Sequence, residues 1–148
     1  MDEWIAVVTV VVVGMLVGVE FAVAVFVNPI FDRLPNDGGL AARTDGARLL
    51  GRVMPFWYIG STVLAVVAAL VLAGSGRWWW FTGAGLLVVS VLLSVTLLVP
   101  INDRVQKWST DAAPADWRSQ VGRWDRLHYA RVAVITAGFV LMTIAATR

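Results

Sequence analysis

The chain of 148 residues has no cysteine and a single histidine, and charged residues make up only 15% of it. The lack of cysteine excludes a disulfide framework, a thiolate metal site and a cysteine nucleophile, and it leaves the redox compartment open. Hydrophobic residues, in contrast, account for 59% of the sequence. This balance is far from that of a soluble globular domain and predicts a membrane protein.

Four apolar stretches are long enough for helices that cross a hydrocarbon core of about 30 Å. They cover residues 4–27, 53–73, 78–99 and 114–146, with the membrane span of the last beginning near Leu127. Because backbone groups find no water in lipid, the spans predict an all-α integral membrane four-helix bundle. Residues 1–148 are interpreted as one domain. Acidic residues, not basic ones, precede the first span, which favours a retained helix over a secretory signal.

Basic residues are concentrated in the connections after the first and third spans. These connections contain Arg33, Arg43, Arg48, Arg52, Arg104, Lys107, Arg118, Arg123 and Arg126, whereas the opposite side has only Arg77 and Arg148. The positive-inside rule therefore predicts a cytoplasmic-membrane protein with cytoplasmic loops and both termini outside. The basic residues suit anionic headgroups, so the expected partner is the lipid bilayer, not nucleic acid. Within the first connection, residues 40–50 are expected to form a short interfacial helix.

Two motifs recur in the two halves of the chain. The first and third spans end in "NPIFDRL" (28–34) and "VPINDRV" (99–105), which share Pro-Ile-x-Asp-Arg. The second and fourth spans begin in "GRVMPFWY" (51–58) and "DRLHYARV" (125–132), so that Met54 aligns with His128. If the matches are not due to chance, they predict two pseudo-repeated helical hairpins related by an axis along the membrane normal.

Glu20 is the only acid inside a span, and it lies about 12 Å deeper in the bilayer than Asn28. An intramembrane carboxylate is costly and requires a partner. The partner candidates at matching depth are Tyr58, Ser61, Ser94, Thr96, His128 and Arg131. A functional role and a purely structural hydrogen-bonded tie between helices both remain open.

The fourth helix carries Trp124, His128 and Arg131 on one face, because they recur at intervals of four and three residues. Asp125 and Arg126 point elsewhere. A neighbouring guanidinium favours the neutral imidazole, which can accept a proton. The alternative is an interfacial anchor, in which a snorkelling arginine and a belt tryptophan flank the histidine.

The stretch "VPINDRVQKW", followed by "ADW" and "RWDRLHYAR", resembles the anthrone-oxygenase-like family of small four-helix membrane proteins, much of which was long catalogued as a domain of unknown function. The resemblance covers the whole chain in layout. It is most specific at Pro100, Asn102, Trp108, Trp124, His128 and Arg131. Glu20 and "RVMPFWY" lie outside the general family pattern and indicate a branch with a substrate of its own.

The resemblance implies a membrane-embedded oxygenase that acts on a small hydrophobic, aromatic substrate by base-assisted reaction with O2, without a known organic cofactor. His128 would be the base, Arg131 and Asn102 would stabilise the oxyanion, and Trp124 with Trp108 would hold a flat substrate. The residues themselves add Glu20 to the catalytic candidates, because an intramembrane carboxylate indicates function. They also add Met54, Tyr58 and Asn28 to the substrate-binding candidates, because these lie at the same end of the bundle.

Two alternatives stay open at this point. One is a metal-dependent oxidase in which a transition metal is bound by His128 and Glu20, with Asp103 as a further ligand, although one histidine and scattered oxygen ligands form a weak metal signature. The other is a non-enzymatic membrane protein: a small carrier, a lipid or quinone binder, or a partner subunit. The sequence also leaves a homo-oligomer open.

Overall fold

The computed structural model describes residues 2–72, 74 and 76–148. Four helices account for most of this part of the chain, and it contains no strand. We number them α1 (Asp2–Asp32), α2 (Gly38–Val71), α3 (Arg77–Val105) and α4 (Trp117–Ala146). Each is long and apolar enough to cross a membrane, and the predicted all-α integral membrane four-helix bundle is therefore confirmed. The expected last residue of the second span, Ala73, lies outside the described residues.

Helix boundaries differ from the sequence prediction at both ends. At the C-terminal ends, α1 continues to Asp32 and α3 to Val105, beyond the predicted ends at residues 27 and 99. Two N-terminal boundaries differ as well. The segment 40–50 does not form a separate interfacial helix, because α2 continues from Gly38 through Pro55 to Val71. A proline inside a helix removes one backbone donor, and the neighbouring turns can carry the helix past it when packing supports them. At the other boundary, α4 begins at Trp117 after Asp116 as its N-cap, three residues later than the predicted start at Pro114.

The helices pack as a ring in chain order. Helix α1 packs against α2 and α4, and α3 packs against the same two helices. A close approach joins α3 to α4, where a Cβ on Gly83 would lie 2.9 Å from the carbonyl oxygen of Gly138. Small residues permit such close contact between helices in lipid. The core between the four helices contains Val13, Leu16, Ala65, Leu87, Ile135 and Met142.

Helices α1 and α3 each contain a five-residue π-turn, Val23–Val27 and Ser94–Leu98, directly before the repeated proline motif. The N–H of Asn28 binds the carbonyl of Val23, and the N–H of Val99 binds that of Ser94. A proline follows each of these donors and has no N–H of its own. The local structure therefore repeats in the two hairpins as the sequence motif does, whereas superposition of the complete hairpins stays a prediction.

The π-turn of α3 interrupts the packing between α2 and α3. Helix α2 packs against α3 both before and after the turn, over Arg77–Leu93 and Val99–Val105, but makes no comparable contact with Ser94–Leu98 itself. Helix α4 contacts both π-turns. The bundle is consequently wider on the α2 side at the level of the π-turns, and an apolar cavity lined by all four helices lies there.

Candidate functional site

The cavity beside the π-turns has a volume of about 180 Å³ and receives side chains from all four helices. Its lining is mostly apolar, with a few polar groups on one wall. Seven of the residues predicted from the sequence contribute to it: Glu20, Met54, Tyr58, Asn102, Trp124, His128 and Arg131. An apolar cavity with a few convergent polar groups is the usual form of a small-molecule site.

Arg131 is the centre of the polar wall. Its Nη2 atom donates to the carboxylate of Glu20 and lies 2.9 Å from Nδ1 of His128. Its Nη1 atom donates to Oγ of Ser94 at 3.1 Å. The guanidinium carbon is 5.0 Å from the centre of the Tyr58 ring, within the range of a cation–π contact. Arg131 therefore connects α1, α2, α3 and α4 at one point.

Burial explains why these charges occur together. Glu20, His128 and Arg131 are only 3%, 1% and 8% exposed. A charge buried in an apolar medium is tolerated when it is paired and hydrogen-bonded. The carboxylate of Glu20 is paired with Arg131, and its Oε2 atom lies 3.3 Å from Nδ1 of His128. Both partners were among the candidates that the sequence provided for Glu20.

The hydrogen bonds of His128 assign its tautomer. Its Nε2 atom is 3.1 Å from the backbone carbonyl oxygen of Glu20, and its Nδ1 atom faces a nitrogen of Arg131. A carbonyl can only accept and a guanidinium can only donate, so Nε2 carries the proton and Nδ1 the lone pair. Trp124 stacks on the ring at 4.6 Å between centroids with the planes 20° apart. The imidazole is therefore neutral, fixed in orientation, and buried.

The π-turn of α1 also provides a carbonyl for α4. The Tyr129 hydroxyl donates to the backbone oxygen of Ala24 at 2.8 Å. In a π-turn, the carbonyl oxygen of Ala24 would accept from the N–H of residue 29. That residue is Pro29, which has no N–H, and the N–H of Asn28 binds the carbonyl of Val23 instead. Tyr129 was not predicted as part of this region. Two sequence features could have predicted this contact. Pro29 leaves the carbonyl of Ala24, five residues earlier, without a backbone donor, and the residue after His128 carries a hydroxyl.

Asn102 extends from α3 to the backbone of α2. Its Nδ2 atom donates to the carbonyl of Ala47 at 3.3 Å. Gly51 lies beside it, and a Cβ at that position would be 2.9 Å from Nδ2. One amide hydrogen is used in this bond and a second remains, since an amide nitrogen carries two. Asn102 can therefore donate to a ligand in the cavity while it is held by α2.

Two residues predicted to bind substrate lie elsewhere. Trp108 packs with Ile101, Val105 and Val121 in a separate apolar cluster. Asn28 lines a neighbouring cavity of about 60 Å³, which shares Val23, Leu50, Asn102 and Trp124 with the larger one. Its Nδ2 atom donates to Asp125 at 2.9 Å, which is a contact between α1 and α4. The structure thus gives both residues packing contacts outside the 180 Å³ cavity.

A second buried arginine, Arg43, lines the cavity of about 60 Å³ together with Asn28. It donates to Asp32 at 2.8 Å, and to the two carboxylate oxygens of Asp125 at 2.7 and 2.8 Å. The cluster joins α1, α2 and α4. Asp125 does point away from His128, as expected, and its partner is Arg43. Sequence reasoning counted Arg43 only as a positive charge and did not predict this contact.

The metal ligands considered from the sequence are His128, Glu20 and Asp103. No group of three or more His, Cys, Asp or Glu side chains able to hold an ion occurs in residues 2–72, 74 and 76–148. Glu20 and His128 are adjacent, but Asp103 is exposed and bonds to Gln106. A nitrogen of Arg131 already contacts both Glu20 and His128. A metal held by that pair would have to displace the guanidinium.

These features define a class: a helical membrane protein with an apolar cavity and a buried carboxylate, arginine and neutral imidazole on one wall. A comparison with protein families then gives the family of the chain. The model of the anthrone oxygenase family matches residues 47–141. This range is more than half of the chain, and the protein belongs to that family. Comparison with curated proteins and with solved structures finds no match.

The matched range divides the site into two parts. His128, Arg131, Asn102, Trp124 and Trp108 lie within residues 47–141, as do Met54 and Tyr58. Glu20 and Asn28 belong to α1 and precede the matched range. The carboxylate that pairs with Arg131 is therefore contributed from outside the matched segment, whereas "RVMPFWY" (52–58), which was placed with Glu20 outside the general family pattern, lies within it.

Proposed function

We propose that the protein is a membrane-embedded oxygenase that removes a proton from a small hydrophobic, aromatic carbon acid and lets the resulting carbanion react with O2. The observation that carries the proposal is the buried group of Glu20, Arg131 and His128 on the wall of an apolar cavity. Membership of the anthrone oxygenase family supports the same reaction class. A base, a charge stabiliser and a dry slot are sufficient for such chemistry.

The substrate would lie flat beside Trp124 and Met54. The indole of Trp124 already stacks on His128, so an aromatic substrate next to this pair would have its acidic carbon close to the imidazole. Aromatic groups prefer offset stacking at such separations. The substrate oxygen would point to Arg131 and to the free amide hydrogen of Asn102, which are the donors available on the polar wall.

Proton transfer would use Nδ1 of His128, the ring nitrogen with the lone pair. Arg131 would turn from Nδ1 to the substrate oxygen, where negative charge develops as the proton leaves. The electron pair of the C–H bond stays on the substrate as an enolate. The new Nδ1–H would then donate to Glu20, whose Oε2 atom is 3.3 Å away. Glu20 would thus stabilise the imidazolium, the usual role of a carboxylate beside a catalytic histidine.

The oxygen step balances without a further reductant. The enolate is oxidised by O2, a carbon–oxygen bond forms, and the peroxide anion takes the proton back from the imidazolium. Loss of water then leaves a carbonyl in place of the original methylene. One methylene and one O2 give one carbonyl and one water, and His128 returns to its neutral form.

The charge distribution supports an orientation for the site. The basic residues of the two connections would lie on the cytoplasmic side, with both termini outside. The π-turns are near the ends of α1 and α3 that lead into those connections. The cavity would therefore lie in the cytoplasmic half of the membrane, with the lipid bilayer as the surrounding partner.

The test is O2 consumption by the purified protein in lipid nanodiscs with anthrone as the probe substrate. His128→Gln keeps a donor for the carbonyl of Glu20 but has no basic nitrogen, and we expect it to lower the rate above background by about 100-fold or more. Arg126→Gln is the matched control, because Arg126 is exposed on the same helix. Equal rates for the two variants would reject His128 as the base.

A further inference from the structure

The walls of the 180 Å³ cavity differ in what covers them. The side formed by α1 and α4 is closed, because Glu20, His128 and Arg131 are almost fully buried. On the opposite side, α2 and α3 contribute side chains that are themselves exposed. Ile59 is 57% exposed, Val95 is 60% exposed, and Pro55 and Val99 are exposed as well. The cavity therefore opens between α2 and α3.

The opening coincides with the gap produced by the π-turn of α3. Helix α2 packs against α3 before and after Ser94–Leu98 but makes no comparable contact with that turn. Val95 lies within the turn and Val99 directly follows it. Pro55 and Ile59 lie on the facing side of α2. These four residues frame the opening, which we call the lateral portal.

The surface around the lateral portal is apolar. Phe56, Val63 and Leu92, its neighbours on α2 and α3, are large apolar side chains that are more than half exposed. Ile59 is also about 18 Å along the helix from Val71, the end of α2. In a helix that crosses a membrane, exposed apolar residues at such a depth contact hydrocarbon. The portal therefore faces lipid.

The deep end of the cavity has an unused hydrogen-bond donor. The Nε atom of Arg131 is buried and has no hydrogen-bond partner among the described residues. Arg131 lines the cavity. Buried polar groups are normally paired, and an oxygen atom of a ligand would pair with this donor. The rest of the lining suits a flat apolar body.

We propose that the lateral portal is the route by which the ligand reaches this site, directly from the bilayer and not from water. The ligand class is a sparingly soluble aromatic ketone or phenol that partitions into lipid and passes between Ile59 and Val95 with its oxygen leading. The inference rests on the proposed function only in taking the cavity as the ligand site. Its test measures access without any turnover, so a failed oxygenase assay leaves the result interpretable.

The absence of native cysteine allows single thiols to report access. Ser94→Cys places a thiol on the cavity wall beside Arg131, where the guanidinium favours the reactive thiolate. Ser90→Cys is the matched control, one turn earlier on α3, fully buried and not part of this wall. In liposomes, we expect pyrene maleimide, a flat lipid-soluble reagent, to label Ser94→Cys about tenfold faster than Ser90→Cys. A charged maleimide applied to both sides should label neither thiol, although it labels Ser109→Cys in the exposed loop.

A second experiment obstructs the lateral portal with a bulky side chain. Ile59→Trp fills the opening from the α2 side, whereas Val63→Trp adds the same bulk one turn away, on an exposed position outside the cavity. In the Ser94→Cys chain, we expect Ile59→Trp to slow labelling by pyrene maleimide several-fold and Val63→Trp to leave the rate unchanged. Circular dichroism of each variant verifies the helical fold.

Three results would overturn the lateral portal. Labelling of Ser94→Cys by the charged maleimide at the rate of Ser109→Cys would mean that the cavity opens to water. Equal rates for the Ile59→Trp and Val63→Trp chains would mean that access does not pass Ile59. Failure of pyrene maleimide to label Ser94→Cys faster than Ser90→Cys, in correctly folded protein, would mean that the cavity is closed to lipid.

Discussion

Two arginines, Arg43 and Arg131, are buried in the part of the chain that the structure describes, and their surroundings differ. Arg43 lies between two carboxylates, and each of its guanidinium nitrogens donates to Asp32 or Asp125. Arg131 has one carboxylate, that of Glu20, and its Nε atom has no partner within the described part of the chain. Every guanidinium nitrogen of the first arginine is already bonded to a carboxylate. The second lines the cavity of about 180 Å³ and has one nitrogen without a partner.

The difference separates a structural cluster from a candidate functional one. A buried polar group with every bond made contributes rigidity, and adding a ligand would break bonds that already exist. A buried donor that lacks a partner costs free energy until something pairs with it. The Arg43 cluster therefore fits a tie between α1, α2 and α4, and the Arg131 cluster fits a binding site.

The largest effect should follow removal of Arg131. In Arg131→Met the carboxylate of Glu20 stays buried without its cation, and we expect the free energy of unfolding to fall by about 3–5 kcal/mol. Oxygenation should be lost. The double variant Glu20→Leu with Arg131→Met removes both charges, and most of the stability should return while activity stays absent.

Denaturant titration in detergent micelles, with helicity as the signal, measures these stabilities. If the double variant is as unstable as the single one, the ion pair is not what stabilises this part of the bundle. If either variant keeps its oxygenase activity, Arg131 does not stabilise the reacting oxygen.

A smaller effect is expected at the other arginine. Arg43→Ala removes charge-assisted bonds to Asp32 and Asp125, and bonds of this kind contribute about 1.5–3 kcal/mol each when buried. We expect a loss of about 2 kcal/mol in all, because Asp32 is 52% exposed and regains water. The oxygenation rate at a permissive temperature should stay within a few-fold of wild type. A loss of activity as large as that of His128→Gln would mean that both clusters take part in the reaction.

The smallest effect is expected for Tyr129→Phe. This change removes only the bond from the Tyr129 hydroxyl to the carbonyl of Ala24, and we expect about 1 kcal/mol lower stability. Activity should not change, because Tyr129 is half exposed and lies outside the cavity lining. Thermal unfolding together with O2 uptake measures both quantities. A marked loss of activity would indicate that the π-turn of α1 positions Glu20 through this bond.

Much of the helical framework was predictable because hydropathy and helix length are local properties. The shared face of Trp124, His128 and Arg131 followed from the spacing of three and four residues alone. The pairing of Glu20 was also among the expected contacts, because a charge in lipid has few partners at its own depth. These predictions needed no knowledge of how distant segments meet.

The remaining features depend on tertiary contacts that local patterns do not contain. The prolines were visible, but the shift from α to π hydrogen bonding before them was not. Arg43 and Asp125 are 82 residues apart, and a polar residue near a membrane boundary resembles an ordinary anchor. Trp108 follows α3 by a few residues, and only the path of that connection decides whether its ring faces the cavity.

The most direct test of the contrast between the two clusters replaces one carboxylate in each by its amide. Glu20→Gln and Asp125→Asn both remove a charge and keep hydrogen-bonding capacity, and each residue is bonded to a buried arginine. The measurement is the rate of O2 uptake with anthrone in nanodiscs, on samples shown to be folded by circular dichroism. We expect Glu20→Gln to lose about 100-fold or more in rate and Asp125→Asn to stay near wild type. Similar rates for the two variants would contradict the assignment of the Arg131 cluster as the reactive one.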